Sequence, residues 1–249
     1  MADMSTETLI RLLDAADALP GAADLRARTY DLLHLDPGQA VVDVGCGSGR
    51  AVAELAGLGA NAVGVDPDPV MLDAARQRWP RLDFQTGTAE ALPLADGAVA
   101  GYRADKVFHD VRDVPAAFAE ARRVLAPGGR IVLAGQDWDT VVIDSDDPLL
   151  TRTIVHARAD LVTNPTVARS YRTLLLDNGF TDVAVEMPTA VFTAAAMLPM
   201  ATGLAEAARA AGTIERELAD GWIAEQTTRA RDGRFFAAVP LFVAAATRP

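Results

Sequence analysis

Val41-Val42-Asp43-Val44-Gly45-Cys46-Gly47-Ser48-Gly49-Arg50 decides how this chain folds. The apolar run reads as a buried strand. The closely spaced glycines then let the backbone turn sharply and leave room for a ligand. A helix follows, and its first N–H groups are unpaired and face whatever sits at the turn. A second apolar run, Ala62-Val63-Gly64-Val65, closes on Asp66. A carboxylate at the end of that neighbouring strand suits the two hydroxyls of a ribose. Together these features describe a site for a nucleoside-containing cofactor.

Working outward, strands and helices alternate. The spacing predicts strand 40–44, helix 49–58, strand 62–65, helix 68–78, strands 82–86 and 97–102, a helix from Asp113 to Leu125, and strand 130–135. Asp113 is its expected N-cap. Such alternation implies an α/β fold with a Rossmann-like, doubly wound, mostly parallel sheet. Upstream, helical periodicity covers 5–19 and 22–35. Downstream, helices are expected over 148–163, as a lid, and over 166–178, with Gly179 as the stop. Strand 182–192, helices 194–210 and 214–230 and strand 235–246 complete the chain, with the two late strands placed as an antiparallel edge. We read residues 1–249 as a single domain. It has an N-terminal helical cap (1–36), a cofactor-binding core (37–137) and a tail of lid helices, late strands and acceptor-pocket insertions (138–249).

Of 249 residues half are hydrophobic, enough for one large core, and the net charge of −11 repels phosphate backbones, which excludes nucleic acid as a partner. Cys46 is the sole cysteine, so no internal disulfide forms, and its place in the glycine loop asks for a small packed side chain rather than a nucleophile. No apolar run is long enough for a signal peptide or a membrane span, and a soluble protein of the reducing cytoplasm is expected. Three scattered histidines and one cysteine make no metal cluster.

Four blocks, in order, resemble a class I S-adenosylmethionine-dependent methyltransferase, and within that family the ubiquinone/menaquinone C-methyltransferase-like group. They are Asp43-Val44-Gly45-Cys46-Gly47-Ser48-Gly49, Val63-Gly64-Val65-Asp66-Pro67-Asp68-Pro69-Val70-Met71, Gly87-Thr88-Ala89-Glu90-Ala91-Leu92-Pro93-Leu94 and Arg122-Arg123-Val124-Leu125-Ala126-Pro127-Gly128-Gly129. The resemblance implies a seven-stranded sheet with its last strand antiparallel, and S-adenosyl-L-methionine as cofactor. It implies that Gly45, Cys46, Gly47 and Gly49 approach the methionine and ribose, that Asp43 holds the loop and the ammonium, and that Asp66 takes the ribose hydroxyls. Pro67, Asp68 and Met71 would flank the adenine. Thr88, Ala89 and Glu90 would meet its polar edge, with Ala89 offering its N–H. Arg103 would lie near the methionine, and Arg28 would reach the cofactor carboxylate. Thr88 stands where the family often has an acid, and Val99-Ala100 where it often has Phe-Asp.

A nicotinamide dinucleotide site is the competing reading of the glycine loop. The spacing here is Gly-x-Gly-x-Gly, however, with Arg50 next, whereas the dinucleotide fingerprint is Gly-x-Gly-x-x-Gly. His109 and Asp110 lie beyond the fourth strand, where ligands sit in such sheets, and are the candidate catalytic bases. A polar strand end is the plainer reading of both. Trp138 is either a wall of the acceptor pocket or core. The expected activity is methyl transfer to a small organic acceptor, at oxygen, nitrogen or carbon, and the acidic surface favours a neutral or apolar one. A non-methylating reaction on the same fold, such as a cyclisation, and a non-catalytic cofactor-binding subunit are the alternatives.

Overall fold

Asp-Pro pairs and glycines mark where the elements begin. The computed structural model describes residues 21–249, and the helix expected over 5–19 lies outside the described residues. Helix α1 (Ala22–Asp31) leads into strand β1 (Ala40–Val44), α2 (Arg50–Gly57), β2 (Asn61–Asp66), α3 (Pro69–Arg78) and β3 (Asp83–Thr86). Strand β4 (Val99–Asp105), helix α4 (Val114–Val124) and strand β5 (Leu125–Gln136) complete the first half. Asp68 caps α3 by accepting from Val70 N at 2.8 Å, with Pro69 behind it. Asp113 caps α4 by accepting from Ala116 N at 3.0 Å, as expected. An Asp side chain answers an orphan N–H, and Pro sits where no N–H is needed.

Strands β3-β2-β1-β4-β5 run parallel in that order. Val42, Val44, Val65, Tyr102, Ile131 and Leu133 are buried on one face against Phe118 and Ala121 of α4. On the other face Val41, Val132 and Ala134 pack with Tyr30, Leu33, Ala51 and Leu55. Burial on both faces is what near-continuous apolar strands require.

The later elements are β6 (Val142–Ile143), α5 (Pro148–Ala159), α6 (Tyr171–Asp177), β7 (Thr181–Glu186), β8 (Thr189–Phe192), α7 (Leu198–Ala210), α8 (Arg216–Arg231) and β9 (Ala237–Thr247). The last strand is antiparallel, as the resemblance implied, but it is not an edge. Its second half lies between β5 and β7, antiparallel to both, so β7 is the edge and runs with the parallel strands. Its first half continues past the sheet and pairs with the short β6 and β8. The sheet therefore has nine strands, seven of them forming the body. The single strand expected over 182–192 is two strands broken at Met187-Pro188, because proline has no N–H for the ladder. Helices α5, α7 and α8 bury a second cluster that includes Ile154, Ala205, Trp222 and Phe235, and Trp222 Nε1 donates to Thr151 Oγ1 at 2.9 Å.

Gly64 shows how tightly the first half is packed. A Cβ there would lie 2.7 Å from Phe84 Cδ1, 2.8 Å from Cys46 Sγ and 2.9 Å from Val52 Cγ2. Gly64→Ala is expected to destabilise the fold by about 1–3 kcal/mol through overpacking. Urea unfolding measures this, and an unchanged midpoint would contradict the packing described.

Candidate functional site

The carboxyl ends of β1, β2, β4 and β5 meet at one edge, the place where parallel sheets bind ligands. Gly45, Gly47 and Gly49 all have positive φ, at 67°, 51° and 83°. Only glycine adopts this run of left-handed backbone without strain, and a Cβ on Gly45 would run into Val107. The loop is tied to the neighbouring strand, since Gly45 N and Cys46 N both donate to Val65 O, at 2.8 and 3.1 Å. Asp66 completes the tie. Its Oδ2 accepts from Gly47 N at 2.8 Å and its Oδ1 from Asp68 N at 2.9 Å. Each oxygen keeps a further lone pair for a ligand. Burial pushes the Asp66 carboxyl up, and the two backbone N–H groups oppose that.

Asp43 stands behind the loop and is buried with Arg103. Arg103 Nη1 donates to Asp43 Oδ1 at 2.6 Å, Nη2 to Asp105 Oδ2 at 2.9 Å, and Nε to Thr29 Oγ1 of α1 at 2.8 Å. Its guanidinium also lies over the Tyr30 ring, 5.3 Å from the centroid. Burial pushes Asp43 up against the pull of Arg103, while Lys106 and Arg103 together hold Asp105 below the usual carboxylate range.

Other expected residues fall differently. Cys46 is buried with Val52, Leu72, Ala75 and Phe84, and burial pushes its thiol far up, so it is a packed side chain. Met71 is buried, Pro67 is exposed, and Thr88 forms a tight turn with Ala91. Glu90 accepts from the backbone N–H groups of Arg112 and Asp113 at 3.2 and 3.4 Å, and so holds the start of α4. Arg28 forms a two-pronged ion pair with Glu186 on the edge strand, so its guanidinium is engaged away from the loop.

Beyond β4, Lys106 has a left-handed φ of 60°, a strained turn for a non-glycine residue. It sends the chain toward His109, whose Nε2 lies 3.3 Å from Asp110 Oδ2. The His109 ring stands edge-on to Trp138, 5.7 Å between centroids. The Arg158 guanidinium covers the same indole at 4.4 Å. Burial lowers the His109 pKa below its usual 6.5, Asp110 raises it, and Arg158 and Lys106 lower it. Arg158 carries no motif. Its spacing from Trp138 gave no signal in the sequence.

A family model described as a methyltransferase domain matches residues 42–133. An uncharacterised 37.1 kDa protein in transposon TN4556 of Streptomyces fradiae is 33% identical over 247 residues, covering 95% of this chain and 70% of that protein. The chain belongs to the class I S-adenosylmethionine-dependent methyltransferases. The demethylmenaquinone methyltransferase of Beutenbergia cavernae is 36% identical over 109 residues, 44% of this chain and 45% of that protein. This chain thus matches less than half the length of that named relative. The crystal structure of geranyl diphosphate C-methyltransferase from Streptomyces coelicolor shares the fold, with a TM-score of 0.57 at 20% identity, covering 91% of this chain and 79% of that one. Among the described residues no helix is long and apolar enough to cross a membrane.

The cradle fits the methyltransferase cofactor. Its glycine loop presents left-handed backbone free of side chains at Gly45, Gly47 and Gly49, and Asp66 presents open lone pairs beside it. Asp43 and Asp105 are paired with Arg103 and Lys106, so it is the Asp66 carboxylate that offers negative charge at this edge to a cationic ligand. Around His109, the Asp110 charge favours the imidazolium. Asp110→Asn is therefore expected to move the His109 titration midpoint lower still, read by histidine NMR. An unchanged or higher midpoint would show that the two groups do not interact.

Proposed function

We propose that this protein transfers the methyl group of S-adenosylmethionine to a small organic acceptor held beside His109 and Trp138. The observation that carries the reading is the Asp66 carboxylate, fixed by Gly47 N and Asp68 N at the mouth of the glycine loop. On this reading Asp66 takes the ribose hydroxyls, and the backbone of Gly45, Gly47 and Gly49 approaches the methionine and ribose. Met71 and Pro67 flank the adenine, and Ala89 N–H meets its edge. Asp43 acts behind the loop, neutralised by Arg103 and favouring a cationic ammonium nearby. The bound cofactor supplies an electrophilic methyl on a sulfonium.

The chain's own residues then have two tasks. One is to hold the acceptor in line and exclude water, a task for the Trp138 indole, which stands edge-on to His109. The other is to take a proton where the acceptor carries one. His109 suits this because burial keeps its ring neutral near pH 7. Its Nε2 faces Asp110, which assigns the ring hydrogen to Nε2 and leaves the Nδ1 lone pair as the base.

Calorimetry with S-adenosylhomocysteine tests the cofactor assignment. Asp66→Ala is expected to weaken binding about tenfold or more. A wild-type protein that takes up a nicotinamide dinucleotide and not S-adenosylhomocysteine would overturn the reading. His109→Ala, at saturating cofactor, is expected to lower kcat about 100-fold or more. An unchanged rate would remove His109 as the base. Product analysis separates methyl transfer from other chemistry, because S-adenosylhomocysteine must appear in step with acceptor loss.

A further inference from the structure

Most cations at this edge of the sheet are answered by a carboxylate. Arg103 has Asp43 and Asp105, Lys106 has Asp105, and Arg169 has Asp137 and Asp139. Arg158 differs. It is half-buried, yet among the described residues it makes no hydrogen bond or ion pair, only its stack on Trp138. The nearby Asp110 carboxylate contacts His109 instead. Burial of a partly desolvated guanidinium is unfavourable and lowers its pKa, while the Asp110 charge, acting from beyond contact distance, raises it. The indole beneath it fixes the plane of the fork and leaves the N–H edges to bind something else.

We propose that the methyl acceptor carries a carboxylate, and that Arg158 is the residue that binds it. The inference rests on the methyltransferase reading and names the substrate class of that site. A planar carboxylate matches the two parallel N–H bonds of one guanidinium. The charges favour one negative charge over two. Among the described residues Arg158 has no carboxylate in contact, Lys106 is engaged by Asp105, and Asp110, which acts on Arg158 at longer range, repels a second charge. His109 and Arg158 lie against the same indole, 5.7 and 4.4 Å from it, so a small acid anchored on Arg158 presents its other end beside the proposed base. The acceptor is then an acid, not the neutral molecule that the overall charge favours.

The test uses the complete protein saturated with S-adenosylhomocysteine, its binding first checked by calorimetry. Tryptophan fluorescence then follows titration with benzoate and octanoate, with their carboxamides, and with phenyl phosphate. At least one carboxylate is expected to bind saturably and its amide not. Arg158→Gln is expected to weaken carboxylate binding about tenfold or more, while S-adenosylhomocysteine affinity and the melting curve stay unchanged. Arg158→Lys, which keeps the charge and loses the fork, is expected to fall between. The proposal fails if S-adenosylhomocysteine binds and neither carboxylate does, if the amides bind as tightly, or if Arg158→Gln has no effect. Tighter binding of phenyl phosphate than of benzoate would replace the carboxylate with a phosphate. Loss of S-adenosylhomocysteine binding by the wild type would instead bring down the methyltransferase reading itself.

Discussion

The Arg103 guanidinium joins stretches of chain that nothing else ties so directly. It lies only 3% exposed between Asp43 at the end of β1 and Asp105 at the end of β4, and it donates to Thr29 in α1. A buried cation costs several kcal/mol unless it is paired, and two buried carboxylates on adjacent strands repel each other without a cation between them. Each charge thus makes the others tolerable. The network continues outward, because Tyr30 beneath Arg103 donates through its hydroxyl to Glu54 at 2.8 Å, and Arg26 pairs with the same carboxylate. Glu54 belongs to α2, the helix that starts at the glycine loop. The N-terminal helix, two central strands and the loop helix are therefore fixed to one another by charge as well as by apolar packing.

This arrangement separates two jobs that acids do at the same edge. Asp43 and Asp105 are neutralised by Arg103, so their main effect is to hold structure. Among the described residues Asp66 has no cation on it. Its partners are two backbone N–H groups, which orient the carboxylate while leaving its charge open to a ligand. A cofactor with a diol and positive centres meets both features together. The glycine loop contributes bare backbone, and the end of β2 contributes charge.

Much of this was legible in the sequence because local rules govern it. Glycine spacing, strand alternation and Asp-Pro caps are read within a few residues, and β1 to β5 follow from them. The antiparallel pairing of β9 with four different strands depends on register between segments about fifty to a hundred residues apart, and no local pattern encodes that. The fourth block of the resemblance has a structural task that its residues did not announce. Arg123 donates to Leu94 O at 2.8 Å and Arg122 to the carbonyls of Asn178 and Gly179, pinning the β3 loop and the α6 turn to α4. Position marked out His109 and Trp138 at strand ends. Arg158, inside a helix expected only as a lid, had nothing to distinguish it until the fold laid it on the indole.

A chain with a net charge of −11 that binds an acid is less contradictory than it looks. At physiological ionic strength the field of exposed charges decays over roughly 8 Å, so most of the acidic surface is not felt at the site. What is felt is local. The Arg158 guanidinium lies 4.4 Å from the indole with no carboxylate in contact among the described residues, and its half-burial lowers the effective dielectric around it. The acidic surface acts on the approach, by slowing encounter with any anion, and the guanidinium acts on the bound state. On the proposed reading Asp66 beside the cofactor and Arg158 beside Trp138 have opposite signs for opposite ligands. A cationic donor and an anionic acceptor would then each be drawn to its own anchor, and their charges would attract across the gap where the methyl group must pass.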